Sequence, residues 1–83
     1  MYGMKSKGFR LRVGLDALSN RDLSNGAIAA RYAADGIGAE DVAECRKEAL
    51  PVHKRLTERH GPRYFGNLDI ARKPDGVIAL LAM

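Results

Sequence analysis

Residues 27–50, AIAARYAADGIGAEDVAECRKEAL, decide how this chain is expected to fold. An alanine-rich segment, favourable for helix, runs into Gly36, which readily takes the left-handed conformation that ends a helix. Glu40 then follows Ala39 where a carboxylate suits the positive end of a helix dipole. The stretch therefore predicts two helices, the first over about 22–35 and the second starting near Ala39.

An apolar stripe continues the second helix beyond the quoted stretch, to about Arg59. Its members, three or four residues apart, are Val42, Cys45, Ala49, Val52 and Leu56. Pro51 interrupts the pattern because it removes an interior hydrogen bond and disfavours helical geometry at Leu50. We expect either a kink or a break at which Pro51 opens a new helix. Helical structure is expected to stop at Gly61-Pro62.

The sequence pattern predicts β-strands near both ends of the chain. Residues 8–15, GFRLRVGL, alternate, with Arg10 and Arg12 opposite the apolar face, which predicts a half-buried strand. Residues 64–71 and 77–83 flank the turn sequence Arg72-Lys73-Pro74-Asp75-Gly76, and together they predict a β-hairpin with a basic tip.

The expected fold is therefore α+β, with an N-terminal strand, two to three helices and a C-terminal β-hairpin completing a small antiparallel sheet. Its 83 residues suffice for a single domain over 1–83, with residues 1–7 as a flexible basic arm. The expected core residues are Leu11, Val13, Ile28, Tyr32, Val42, Cys45, Leu56, Ile70, Ile78 and Leu80.

Ile28, Ala29, Tyr32, Gly36, Ile37 and Val42 resemble, in order, the key positions of a helix-turn-helix. The spacing departs from that motif because Ala33-Ala34-Asp35 precede the glycine. The order of strand, helices and hairpin is similar to a winged helix, which implies a basic hairpin tip reaching DNA.

An alternative resemblance is to the ribbon-helix-helix repressors, carried by the strand at residues 9–13 and the two helices after it. That resemblance implies a dimer whose paired strands place Arg10 and Arg12 in the major groove.

A net charge of +4, from 14 Lys and Arg against 10 Asp and Glu, favours an anionic partner. We expect a small transcriptional regulator that binds double-stranded DNA, mainly through phosphate contacts, as a homodimer. The expected contact residues are Arg10, Arg12, Lys54, Arg55, Arg59, Arg72 and Lys73. The alternative is a phage-type inhibitor or adaptor that docks on a host protein through Glu40, Asp41 and Glu44.

Other chemistry has little support in the sequence. The spacing of Cys45, His53 and His60 is not a recognised metal motif, so we expect no metal site. The sequence also has no local nucleophile–base or paired-carboxylate pattern, so we expect no cofactor and no enzyme activity. One cysteine, no signal-peptide pattern and no apolar run of about 20 residues predict a cytoplasmic protein without a membrane role.

Overall fold

The computed structural model describes residues 6–67 and 70–82, and these ranges contain helices and turns but no β-strand. The α-helices are α1 (Lys7–Ser19), α2 (Asn25–Arg31), α3 (Ala39–His60) and α4 (Asp75–Leu81). Short 3₁₀ turns lie at Ala33–Asp35, Phe65–Asn67 and Ile70–Arg72. The predicted α+β fold, winged-helix-like with its hairpin, is therefore wrong, and so is the ribbon-helix-helix-like alternative, because both require strands.

The predicted N-terminal strand is the centre of α1. This helix packs against α2, α3 and α4, and nearly every residue from Gly8 to Leu18 is buried. A helix covered on several sides needs apolar residues around most of its circumference, so its sequence loses the 3.6-residue period. Apolar residues therefore fall on several sides of α1, and at residues 8–15 they alternate with Arg10 and Arg12 as they would in a strand.

Two interleaved stripes of α1 build the two halves of the core. The first stripe packs against α2 and the first half of α3, and it consists of Phe9, Val13 and Ala17. The second packs against the later part of α3 and the C-terminal segments, and it consists of Leu11, Leu15 and Leu18. Each stripe has the four- or three-residue spacing of one helix face.

The connection from α2 to α3 follows the prediction in part. Gly36 has a φ of +76°, the left-handed conformation predicted for it, and α3 begins at Ala39 as predicted. The Asp41 carboxylate accepts the backbone N–H of Gly38 at 2.9 Å and so caps α3. The first helix is shorter than predicted, because Ser24 caps α2 by accepting from Ala27 N–H at 3.1 Å.

The helix α3 runs unbroken through Pro51 to His60, so the alternative in which the helix breaks at the proline is wrong. Pro51 is exposed, so its ring needs no room in the core, while the whole predicted stripe on the opposite side is buried. Gly61, with a φ of +99°, ends α3 where the sequence predicted.

The predicted C-terminal hairpin is wrong for the residues that are described. Pro74 is extended and precedes the first residue of α4, and Asp75 occupies the first turn of that helix. A Pro-Asp-Gly sequence suits a helix start as well as a β-turn, since proline needs no N–H there and an acid favours the helix dipole. In the helix, the Asp75 carboxylate pairs with Arg12 of α1.

The burial of α4 corrects one core residue. Ile78 is fully buried, whereas Leu80 is 66% exposed and so does not belong to the core. The other nine predicted core residues are buried. Of the predicted basic arm, residues 1–5 lie outside the described ranges, while Ser6 caps α1 and Lys7 begins it.

Candidate functional site

The two arginines of α1 are engaged in contacts inside the protein. Arg10 forms an ion pair with Glu48 of α3, and Arg12 lies 2.6 Å from the carboxylate of Asp75 and donates to the carbonyl oxygen of Lys73. These contacts fasten α1 to α3 and α4. The outward-facing register expected of a basic strand does not exist, and the charges of both arginines are balanced by protein groups.

Two further arginines hold the helices together. Arg31 pairs with the buried Asp16 at 2.9 Å, and Arg46 donates to the Asn25 side chain at 2.8 Å and to the Ala17 carbonyl at 3.1 Å. Both guanidinium groups are therefore engaged in contacts within the protein.

The other predicted contact residues lie on two separate segments. Lys54, Arg55 and Arg59 are exposed on the second half of α3, where Arg55 donates to the Ala82 carbonyl at 3.3 Å. Arg72 is exposed in a 3₁₀ turn, and Lys73 is half-buried before α4. The prediction that these last two residues form a basic hairpin tip is therefore wrong, because they lie in the turn that precedes α4.

The acidic residues proposed for a protein partner lie at the start of α3. Glu40 and Glu44 are exposed, whereas Asp41 caps the helix. First-turn carboxylates stabilise a helix N-terminus whatever else they do. Docking through these residues stays a prediction.

A groove lies between the C-terminal end of α1, the later part of α3 and the turn after it, with a volume of about 570 Å³. Its polar lining residues are Ser19, Arg21, His53, Thr57 and Arg63. Its remaining lining residues are Leu18, Pro62, Phe65 and Gly66. We call this feature the α3 groove.

Aromatic stacking positions the wall of the α3 groove. The His53 ring stacks on Phe65 with centroids 4.5 Å apart, and about two helical turns later the His60 ring stacks on Tyr64 at 4.4 Å. Tyr64 and Phe65 also meet edge to face at 5.1 Å. These contacts hold the turn, and with it Arg63, against α3.

The groove is positively charged, and its two arginines have no partner among the residues that the structure describes. Among the described residues, neither the guanidinium of Arg21 nor that of Arg63 forms a hydrogen bond or an ion pair, and no carboxylate lines the groove. Burial, and then the positive charge of Arg21, lower the pKa of His53 below its ordinary value of 6.5. The groove thus favours an anion that could balance these charges.

The two hydroxyl groups of the groove differ from its cations in what they can bind. Ser19 donates to the Leu15 carbonyl at 2.7 Å, and Thr57 donates to backbone carbonyls of α3, at 3.0 Å for His53. Each hydroxyl has a single proton, which these contacts use, so its oxygen is left as an acceptor. The groove therefore pairs free cationic donors with free oxygen acceptors.

Sequence reasoning missed Arg21 and Arg63 because both lie in connections between helices, where charged residues are common. In the sequence, His53 stands out only through its spacing from Cys45 and His60, which is not a metal motif. A weak signal existed in the i, i+4 spacing of His53 and Thr57, which places them on one face of α3 beside its apolar stripe. Nothing in the sequence joins residue 21 to residue 63.

Metal and membrane roles gain no support from the geometry. Across residues 6–67 and 70–82, no group of three or more His, Cys, Asp or Glu side chains is arranged to hold a metal ion. No helix in the described part of the chain is long and apolar enough to cross a membrane. Comparisons with family models, with curated proteins and with solved structures found no match.

Proposed function

We propose that this protein binds nucleic acid, with DNA as the expected partner, and that Arg21 and Arg63 hold its phosphates at the α3 groove. The observation that carries the proposal is the contrast between two groups of arginines. Arg10, Arg12 and Arg31 are paired with carboxylates, whereas Arg21 and Arg63 meet at one groove with no acid in its lining. Unpaired guanidinium groups in a concave site suit phosphate oxygens, which they bind in a bidentate manner.

The charge around the groove supports the same ligand class. From Leu50 to Gly66 the chain carries four cations against the single acid Glu58. Lys54 follows His53 directly, is exposed and has no ion pair among the described residues, so it extends the positive surface beside the groove. A clustered positive surface attracts a polyanion and speeds its association. A role as a transcriptional regulator and as a homodimer stays a prediction within this proposal.

The double variant Arg21→Ala/Arg63→Ala is expected to weaken DNA binding about 100-fold, or about tenfold for each lost phosphate contact. The measurement is fluorescence anisotropy with labelled DNA of about 20 nucleotides, both single-stranded and duplex, across about 50 to 200 mM salt. With three phosphate contacts, the wild-type affinity should fall about 40-fold over that range, and the double variant should lose about two thirds of the slope.

Arg59→Ala is the matched control for this experiment. Arg59 is exposed on α3 and lies two residues beyond Thr57, which puts it on nearly the opposite side of the helix from the groove. Its loss removes one positive charge, as each of the two groove substitutions does, and should change the affinity about twofold or less. An equal loss for Arg59→Ala and the groove variants would mean diffuse binding, and absence of binding by either DNA at low salt would overturn the proposed function.

Affinity for DNA is expected to rise as the pH is lowered from about 7.5 to about 5.5. The free groove holds His53 with a pKa below 6.5, because of burial and Arg21, so the ring is neutral near pH 7. A phosphate beside the ring favours its protonated form, so binding takes up a proton and strengthens as the pH falls through the pKa of the complex.

Anisotropy titrations at several pH values, with wild type and His53→Gln, measure this linkage. The pH dependence should be lost in His53→Gln and kept in His60→Gln, a matched change on the same helix whose ring stacks on Tyr64 outside the groove lining. Equal pH dependence in all three proteins would remove His53 from the site.

A further inference from the structure

The shape of the α3 groove limits which part of a nucleic acid can enter it. Its volume of about 570 Å³ lies within the range of roughly 300–1,000 Å³ found for sites that enclose small molecules. A duplex presents its phosphates on a convex surface with the bases stacked inside, so it reaches only the rim of such a groove. An unpaired nucleotide can place its base below the rim.

The lining of the groove has a cationic part and an apolar part, and a phosphate group would contact only the cationic part. Arg21 and Arg63 supply cationic donors, while the exposed Pro62 and the small exposed parts of the largely buried Leu18 and Phe65 give an apolar surface. A planar base matches that surface, since bases bind single-strand sites by packing on aromatic and apolar side chains.

The hydroxyl oxygens add a requirement for donors on the ligand. Because Ser19 and Thr57 donate to helix carbonyls, their oxygens accept hydrogen bonds and offer nothing to a phosphate, which itself has only acceptors. Amino and imino groups of a base, or a sugar hydroxyl, are the donors that a nucleotide brings. Phosphate, planar ring and N–H or O–H donors are present together in one nucleotide.

We propose that the α3 groove accepts one unpaired nucleotide, with its phosphate between Arg21 and Arg63 and its base against Pro62 and the exposed parts of Leu18 and Phe65. This inference rests on the proposed nucleic-acid binding and makes it more specific. It assigns single-stranded nucleic acid, or a strand end opened from a duplex, as the preferred form of the ligand.

Fluorescence anisotropy with three labelled probes of about 12 nucleotides tests the inference: a deoxyadenosine strand, the same length of strand with abasic sites, and the matching duplex. The deoxyadenosine strand should bind about tenfold more tightly than the abasic strand at equal salt, because only the base distinguishes them. It should also bind more tightly than the duplex, although the duplex carries more phosphates.

The variant Thr57→Val removes the hydroxyl acceptor at nearly constant volume, and Thr57→Ser keeps it. Thr57→Val should weaken binding of the deoxyadenosine strand about threefold and leave binding of the abasic strand unchanged. Thr57→Ser should bind both strands as the wild type does. Unfolding followed by circular dichroism verifies that each variant is folded.

The outcomes separate this inference from the proposed function. Equal binding of the deoxyadenosine and abasic strands, still weakened by Arg21→Ala/Arg63→Ala, would overturn the nucleotide pocket and leave phosphate binding intact. Tighter binding of the duplex than of either strand would also overturn it. Failure of all three probes to bind would overturn both proposals.

Discussion

Replacing Gly14 by alanine is expected to destabilise the protein by about 3 kcal/mol and to lower its melting temperature by about 15 °C. At this position α1 crosses α3 with almost no space between the backbones. A Cβ atom on Gly14 would overlap the carbonyl oxygen of Cys45 and come within 2.6 Å of the Cβ of Ala49. A backbone carbonyl cannot rotate away as a long side chain can, so the two helices must separate and both halves of the core lose contact.

Thermal unfolding followed by circular dichroism measures this effect, and Gly26→Ala is the matched control. Gly26 lies in α2, and the atom nearest to a Cβ there is the Ser24 hydroxyl at 3.8 Å, an ordinary contact. Because alanine favours helix over glycine, Gly26→Ala should keep the stability or raise it by about 0.5–1 kcal/mol. A Gly14→Ala protein that melts at the wild-type temperature would show that the helices do not cross here.

The second large effect is expected for Asp16→Ala, which should lower the free energy of unfolding by about 3 kcal/mol. Asp16 is 3% exposed, and its carboxylate accepts from Tyr32 Oη at 2.8 Å, Asn20 Nδ2 at 2.8 Å and Arg31 Nη1 at 2.9 Å. The side chain joins the end of α1 to the end of α2. Removing it leaves the buried Tyr32 hydroxyl without an acceptor, which costs more than the hydrogen bond itself contributed.

Chemical denaturation of Asp16→Ala, Tyr32→Phe and the double variant isolates the buried contact. Tyr32→Phe alone should cost about 1 kcal/mol, because Asn20 and Arg31 still hold the carboxylate. In the double variant the two costs should be less than additive, since no orphaned hydroxyl remains. The exposed Asp22 provides the control, and Asp22→Ala should change the free energy of unfolding by about 0.5 kcal/mol or less. Additive costs in the double variant would contradict the contact.

The same carboxylate also affects ionisation of its neighbour. Burial first, and then the hydrogen bond to Asp16 and its negative charge, raise the pKa of Tyr32 above its ordinary value of 10.0. The folded state therefore favours the neutral phenol. This contribution to stability is fully present below pH 10 and is lost as the pH rises through the folded-state pKa.

The residues that were predicted well are those whose roles depend on near neighbours in the chain. Gly36 ends a helical segment and Gly61 ends α3 because glycine takes positive φ at no steric cost. The stripe from Val42 to Leu56 was recognised because α3 buries one side only, so its 3.6-residue period survives in the sequence.

The residues predicted wrongly are those whose role depends on distant parts of the chain. An apolar run such as 77–83 is compatible with a covered strand or a short buried helix, and α4 is set by its contact with α1, where Gly8 lies against the backbone of Asp75. Arg10 and Arg12 alternate as they would on a strand, yet each has an acidic partner more than 30 positions away.

In the candidate site too, some features follow from the sequence alone and others depend on residues far apart in the chain. Every basic residue of the chain could be counted from the sequence, but which of them remain available to a ligand could not, because that depends on which carboxylates folding brings beside them. Arg21 and Arg63 meet only when α1 crosses α3 at Gly14 and the Phe65 ring stacks on His53. The sequence by itself determined where α3 begins and ends, the glycines that end helical segments and the positive charge. Tertiary packing alone decided that α1 and α4 are helices and that an acid-free groove forms, because both depend on side chains far apart in the chain burying one another.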